Sequence, residues 1–86
     1  FEDATFFRAE AYFETKQYKK AIIDYSRFPE KYTRSRRMPA VLLKIGLSFE
    51  SLGMKDDAKG FYQEVIEKFP KSNEALRARR KIGARA

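Results

Sequence analysis

Between Asp3 and Glu14 the apolar positions Ala4, Phe7, Ala9, Ala11 and Tyr12 recur at helical spacing, which predicts an amphipathic helix. The pattern breaks at Thr15-Lys16-Gln17. It resumes from Tyr18 through Ala21, Ile22, Tyr25, Phe28 and Tyr32, a second helix. Pro29 lies inside this run, where it removes the bond to the carbonyl of Tyr25 and disfavours helix at Phe28, so a kink or an early end is expected there. Thr33 to Met38 reads as a basic connection, and Pro39 suits the first turn of a third helix. That helix turns Val41, Leu42, Ile45, Gly46 and Phe49 towards a core and ends at Leu52, with Gly53 as a left-handed cap. A fourth begins around Lys55–Asp57, presents Ala58, Phe61, Tyr62, Val65, Ile66 and Phe69, and stops at Pro70. Its first-turn acids suit the positive end of the helix dipole. Ser72 is the expected N-cap of a fifth helix carrying Ala75, Leu76, Ala78, Arg79 and Ile82. Period-2 alternation is not sustained anywhere, and hairpin dipeptides are missing, so strands are not expected.

The helices repeat. Ala21 lines up with Ala58, Tyr12 with Phe49, Tyr25 with Tyr62 and Tyr32 with Phe69, each 37 positions apart, and Lys44-Ile45-Gly46 returns as Lys81-Ile82-Gly83 at the same offset. Small and aromatic residues recurring at one spacing mark a repeat architecture. The chain therefore reads as a single domain: a first unit over about 2–34, a second over about 36–70, and a capping helix over about 72–84. The expected fold class is all-α, a solenoid of antiparallel helix pairs.

In the second unit, Leu42, Ile45-Gly46, Phe49, Gly53, Ala58, Tyr62 and Pro70 resemble the tetratricopeptide repeat (TPR) pattern. Gly46 and Ala58 stand where two antiparallel helices come close, and Phe49 and Tyr62 fill the space on either side. The first unit keeps Ala9, Tyr12, Ala21 and Tyr25. It departs at Thr33, where the family has proline, and at Thr5 and Arg8, where apolar residues are usual. That divergence fits a frayed or truncated first repeat. In the third unit Arg79 takes the place of Leu42, which suits a cap. The 37-residue offset exceeds the usual ~34, and the extra residues fall in Arg34–Met38 and Lys71–Ala75. This extended link is similar to bacterial envelope TPR proteins, most of all the C-terminal domain of the YbgF (CpoB) type in the Tol-Pal system. The resemblance implies a periplasmic adaptor that binds TolA and links envelope constriction to cell-wall synthesis in division. The BamD-like lipoproteins of outer-membrane assembly are the alternative.

Composition narrows the chemistry. The 86 residues hold neither Cys nor His, which removes thiolate chemistry, disulfides, the commonest general base and the commonest metal ligand. Nucleophile–base pairs, phosphate-cradling glycine loops and metal-ligand spacings are also missing, so an enzyme, a cofactor and a small-molecule substrate are not expected. A net charge of +7 favours acidic partners. No apolar run approaches the roughly 18 residues that a membrane span needs. The start at Phe1, without Met, reads as a fragment of a longer protein. Nucleic acid is disfavoured because most aromatics sit at core periodicity. Lys31, Arg34, Arg36 and Arg37 read as a solvated link, with phosphate contact as the weaker alternative.

Transferred from the family, the concave groove positions are Phe6, Phe7, Glu10 and Phe13 in the first unit, and Leu43, Lys44, Leu47 and Glu50 in the second. Arg77, Arg80 and Lys81 follow in the third. The core has Ala9, Tyr12, Ile45 and Phe49 for its own face, so apolar residues left in the groove point to a partner site. The expectation is a groove for an apolar segment with a basic end that receives carboxylates. The competing reading packs Phe6, Phe7 and Leu43 into the core or against neighbouring repeats. Self-association through the first or last helix is a further expectation for so short a repeat array.

Overall fold

The computed structural model describes residues 1–83 of the chain. In order, the helices are α1 (Glu2–Glu14), α2 (Tyr18–Tyr25), α3 (Arg27–Lys31), α4 (Met38–Ser51), α5 (Lys55–Lys68) and α6 (Asn73–Gly83). No strand occurs among the described residues. Helix α1 packs on α2, α4 on α5, and the units stack through α2 on α4 and α5 on α6. The chain is thus an all-α solenoid. The cap was expected to reach position 84, which lies outside the described residues.

The second predicted helix is divided at Ser26 into α2 and α3. The break falls ahead of Pro29, which puts the proline in the first turn of α3, where its missing N–H would have had no helical partner. Phe28 is fully buried as a result. Gly53 has φ +81° just past α4, the expected left-handed cap. Lys16, 37 positions earlier, adopts the same conformation with φ 64°. A β-carbon there is disfavoured by about 1 kcal/mol; Lys16 was not singled out from the sequence, and the repeat offset to Gly53 is the signal that could have found it. Ser72 caps α6 as expected: its Oγ accepts from the Ala75 N–H at 3.0 Å. Leu76, assigned to the core side, is instead 47% exposed on α6. The helix turns Ala75 and Ala78 inwards, and both are fully buried against α5 and its surroundings.

Tyr25, Phe28, Val41, Leu42, Ile45 and Val65 form the centre of the core. Gly46 faces the ring of Tyr62, and a β-carbon built on it would stand 2.6 Å from Cε1 of that ring. The small residue is there because the α4–α5 approach leaves no room for another atom.

Arg8 is not a frayed position. Its guanidinium donates to both carboxylate oxygens of Asp24, at 2.7 and 2.9 Å, and Asp24 is buried in α2. Arg27 stands 3.7 Å from the same carboxylate. At the repeat offset, Arg8 and Asp24 correspond to Ile45 and Phe61, so a forked ion pair holds α1 to α2 where an apolar contact holds α4 to α5. Removing Arg8 leaves the buried Asp24 carboxylate with only the more distant Arg27, whereas replacing both partners of such a pair with apolar groups is often neutral. We predict that Arg8→Ala lowers the midpoint of denaturant melts, because Asp24 stays buried without its forked partner. The double change Arg8→Ile plus Asp24→Phe is expected to recover most of that loss.

Candidate partner-binding face

Helices α1, α4 and α6 open the successive units, and side chains join them along one strip. Lys44 Nζ of α4 donates to Glu10 Oε1 of α1 at 2.7 Å and lies 4.6 Å from the centroid of the Phe13 ring. Lys81 Nζ of α6 reaches Glu50 Oε2 of α4 at 3.4 Å. Five of the predicted groove residues, Glu10, Phe13, Lys44, Glu50 and Lys81, are thereby joined across the three helices.

Their exposure differs from the expectation. Leu43 is 2% exposed and belongs to the core, because α4 is enclosed between α2 and α5 and has little open surface. Phe6, Phe13 and Leu47 are half-buried against the core. Phe6 sits edge-on to Phe7, Tyr25 and Phe28, and Phe13 sits edge-on to Tyr18. Only Phe7, of the predicted apolar set, stays open at 59% exposure. The core claims more of this face than the helical periodicity implied. On the basic end, Arg77, Arg80 and Lys81 are exposed on α6. Lys81 is engaged by Glu50 and Lys44 by Glu10, while no ion pair among the described residues holds Arg77 or Arg80. Of the predicted groove cations, Arg77 and Arg80 on the cap helix are thus the ones open to a partner.

Arg37 was placed in a solvated link. It stands over the rings of Phe6 and Phe7, 4.6 and 5.2 Å from their centroids, and pairs with Asp3 at 2.5 Å and Glu2 at 3.5 Å. The contact fixes the start of α4 to the start of α1 and leaves the guanidinium occupied. Arg34, Arg36 and Lys31 remain exposed.

Tyr62 donates its hydroxyl to Glu50 Oε1 at 2.5 Å. That hydrogen bond, reinforced by Lys81 and opposed by partial burial, holds the Glu50 carboxyl below its ordinary pKa. Burial first, then the same carboxylate, pushes the Tyr62 phenol well above its ordinary value. Beside this pair an open cleft of about 310 Å³ is lined by Glu50, Lys55, Asp56, Lys59, Tyr62 and Lys81. Lys55 and Lys59 were not singled out from the sequence. Their signal was a position on the first two turns of α5, which the cap helix brings alongside Lys81. The mixed charges suit polar contacts to a peptide better than any acid–base chemistry. Among the described residues no cluster of acids has the number needed for a metal ion, and no helix is long and apolar enough to cross a membrane.

A family model, that of the tetratricopeptide repeat, matches residues 4–35 and 40–72. The chain belongs to the tetratricopeptide repeat family. The two matched segments coincide with the two helix-pair units, and α6 follows them as the additional helix. No curated protein matches the chain significantly. Tetratricopeptide repeats point to a protein-interaction role, and the strip across α1, α4 and α6 is the face of this solenoid with paired and open charges side by side.

The pKa shifts give this face a pH signature. Glu50 is depressed in the folded state, so its stabilising contribution is present above the ordinary carboxylate range and is lost as pH falls through that range. Tyr62 is raised, so its contribution is complete below the ordinary phenol range and fades as pH rises through and beyond it. Thermal melts are expected to be flat near neutrality and to fall on both sides. Glu50→Gln, which keeps an acceptor for Tyr62 but cannot titrate, should flatten part of the acid limb while leaving the neutral-pH melting temperature within a few degrees of the parent.

Proposed function

We propose that the chain is a non-catalytic adaptor that holds an acidic, partly apolar segment of a partner protein along the α1–α4–α6 strip. One observation carries this reading: Arg77 and Arg80 are exposed at the end of a strip whose other charges are already paired. Phe7, with Arg37 beside it, offers the apolar contact at the opposite end. The basic end expected from the sequence is thereby narrowed to Arg77 and Arg80, with Lys81 and Lys44 shared with acids of the chain itself.

The more specific proposal is a YbgF-type adaptor of the Tol-Pal system, located in the periplasm, with a TolA-like partner and a role in coordinating envelope constriction with cell-wall synthesis. Its support is the extended link between units and the run Ile66-Glu67-Lys68-Phe69-Pro70-Lys71-Ser72 that leads into the cap. A BamD-like assembly role is the competing proposal from the same link.

A peptide alternating glutamate with leucine tests the general reading. The wild-type chain is expected to bind it, and Arg77→Glu plus Arg80→Glu to weaken binding about tenfold at low salt, consistent with two exposed charge pairs. Raised salt should narrow that difference. Equal affinity for both proteins in calorimetry would sink the basic-end assignment.

A further inference from the structure

The cleft between α4, α5 and α6 has a counterpart in the first unit, where an aromatic ring of the chain itself stands at the corresponding place. Its lining residues follow a set in that unit by 37 positions: Glu50 follows Phe13, Lys55 follows Tyr18, Lys59 follows Ile22, Tyr62 follows Tyr25 and Lys81 follows Lys44. In the first unit the Phe13 ring lies edge-on to Tyr18, with 5.6 Å between centroids. The Lys44 ammonium stands 4.6 Å from the Phe13 centroid. The ring is half-buried against the core.

In the second unit both members of that aromatic pair are replaced by charged residues. Glu50 stands in place of the ring, and its carboxylate accepts from Tyr62 at 2.5 Å and from Lys81 at 3.4 Å. Lys55 and Lys59, in place of Tyr18 and Ile22, are exposed, and no ion pair among the described residues holds either of them. The exchange leaves space, an open cleft of about 310 Å³. A cavity of about 150 Å³ already accommodates benzene. The less exposed part of the lining stays apolar, with Ala58 buried and Ile82 half-buried. Around it stand the ammoniums of Lys55, Lys59 and Lys81 against the carboxylates of Glu50 and Asp56, one positive charge in excess.

We infer that this cleft receives an aromatic side chain of an acidic protein segment, seated as Phe13 is seated in the first unit. The inference rests on the acidic-partner reading above and adds the side chain that anchors the partner. Lysine ammoniums attract the faces of aromatic rings, and the Lys44–Phe13 contact makes that pairing within the same fold. An aliphatic side chain would gain the contact with Ala58 and Ile82 but nothing from the three ammoniums. Carboxylates flanking the ring answer the excess charge. Arg77 lies one turn before Lys81 on α6, so the cleft and the basic end of the strip are contiguous.

Two peptides test this on the full chain: the glutamate–leucine peptide, and the same peptide with its central leucine changed to phenylalanine. The wild type is expected to bind the second about fivefold tighter, the scale of one well-placed cation–π contact. Its ring protons should show NMR contacts to the Ile82 methyl groups. Glu50→Phe with Lys55→Tyr rebuilds the ring pair of the first unit inside the cleft and should bring the two affinities together. Lys55→Ser with Lys59→Ser, at exposed positions, should do the same with little change in melting temperature. The ratio of the two affinities is the readout, because lost charge weakens both peptides alike. Equal wild-type affinity for the two peptides would overturn the cleft assignment and leave the adaptor reading standing. A phenylalanine preference that survives the lysine substitutions, or ring contacts that fall on Phe7 instead of Ile82, would do likewise. Failure of the wild type to bind either peptide would overturn both.

Discussion

A β-carbon on Gly46 would lie 2.6 Å from Cε1 and 2.8 Å from Cδ1 of Tyr62, inside the distance at which carbon atoms can coexist. The contact therefore sets how closely α4 and α5 approach, and that approach sets where the Tyr62 hydroxyl ends. It ends on Glu50, the residue that also receives Lys81 from the next helix. One missing side chain thus positions the polar cluster. The packing contact and the polar contact lie one turn apart on the same side of α4, with Gly46 against the Tyr62 ring and Glu50 on its hydroxyl.

The two units solve the same stacking problem with different chemistry. In the second, Ile45 is fully buried and Phe61 stacks on Phe49 at 5.6 Å between ring centroids. In the first, the corresponding positions are Arg8 and Asp24, joined by a two-pronged ion pair. Apolar packing tolerates small shifts in angle, whereas a bidentate arginine–carboxylate contact is directional. The α1–α2 pair is thereby fixed in orientation by charge, and Arg37 adds a second charged tie from α4 to the first turn of α1. Among the described residues, Arg8, Arg27, Arg37, Lys44, Lys68 and Lys81 are engaged in ion pairs within the chain. Among the described residues, open cations remain on several elements, and Arg77 and Arg80 on α6 are those that belong to the groove positions.

Helix order, the cap at Gly53, the N-cap at Ser72 and the close contact at Gly46 were all legible because each depends on a local rule or on the repeat offset. The break at Ser26 was legible as a kink near Pro29, but its placement depends on how the proline can be moved into a first turn. What the residues concealed were contacts between distant turns. Arg8 looked out of place because its partner, Asp24, lies 16 residues away on another helix. Leu43 was placed in the groove by the family pattern, and the competing reading that packs it into the core holds, because α4 is enclosed by neighbours on two sides. Arg37 looked solvated because its rings, Phe6 and Phe7, belong to the preceding unit. Groove positions inherited from a family pattern locate the right face but do not say which of its side chains the core has already taken.

The Gly46–Tyr62 approach organises the binding face, and Gly46→Ala disturbs that approach alone. The measurement is the NMR signature of the Tyr62 hydroxyl and the Glu50 carboxyl carbon, read alongside a denaturant melt. Overpacking at this contact is expected to lower stability by about 1–3 kcal/mol. With it, the Glu50 carbon should move towards the shift of an unbonded carboxylate as the hydroxyl is displaced, while the Lys44–Glu10 contact in the first unit stays unchanged. A variant that is destabilised yet keeps the Tyr62–Glu50 signature intact would contradict the claim and leave Gly46 as a packing residue only.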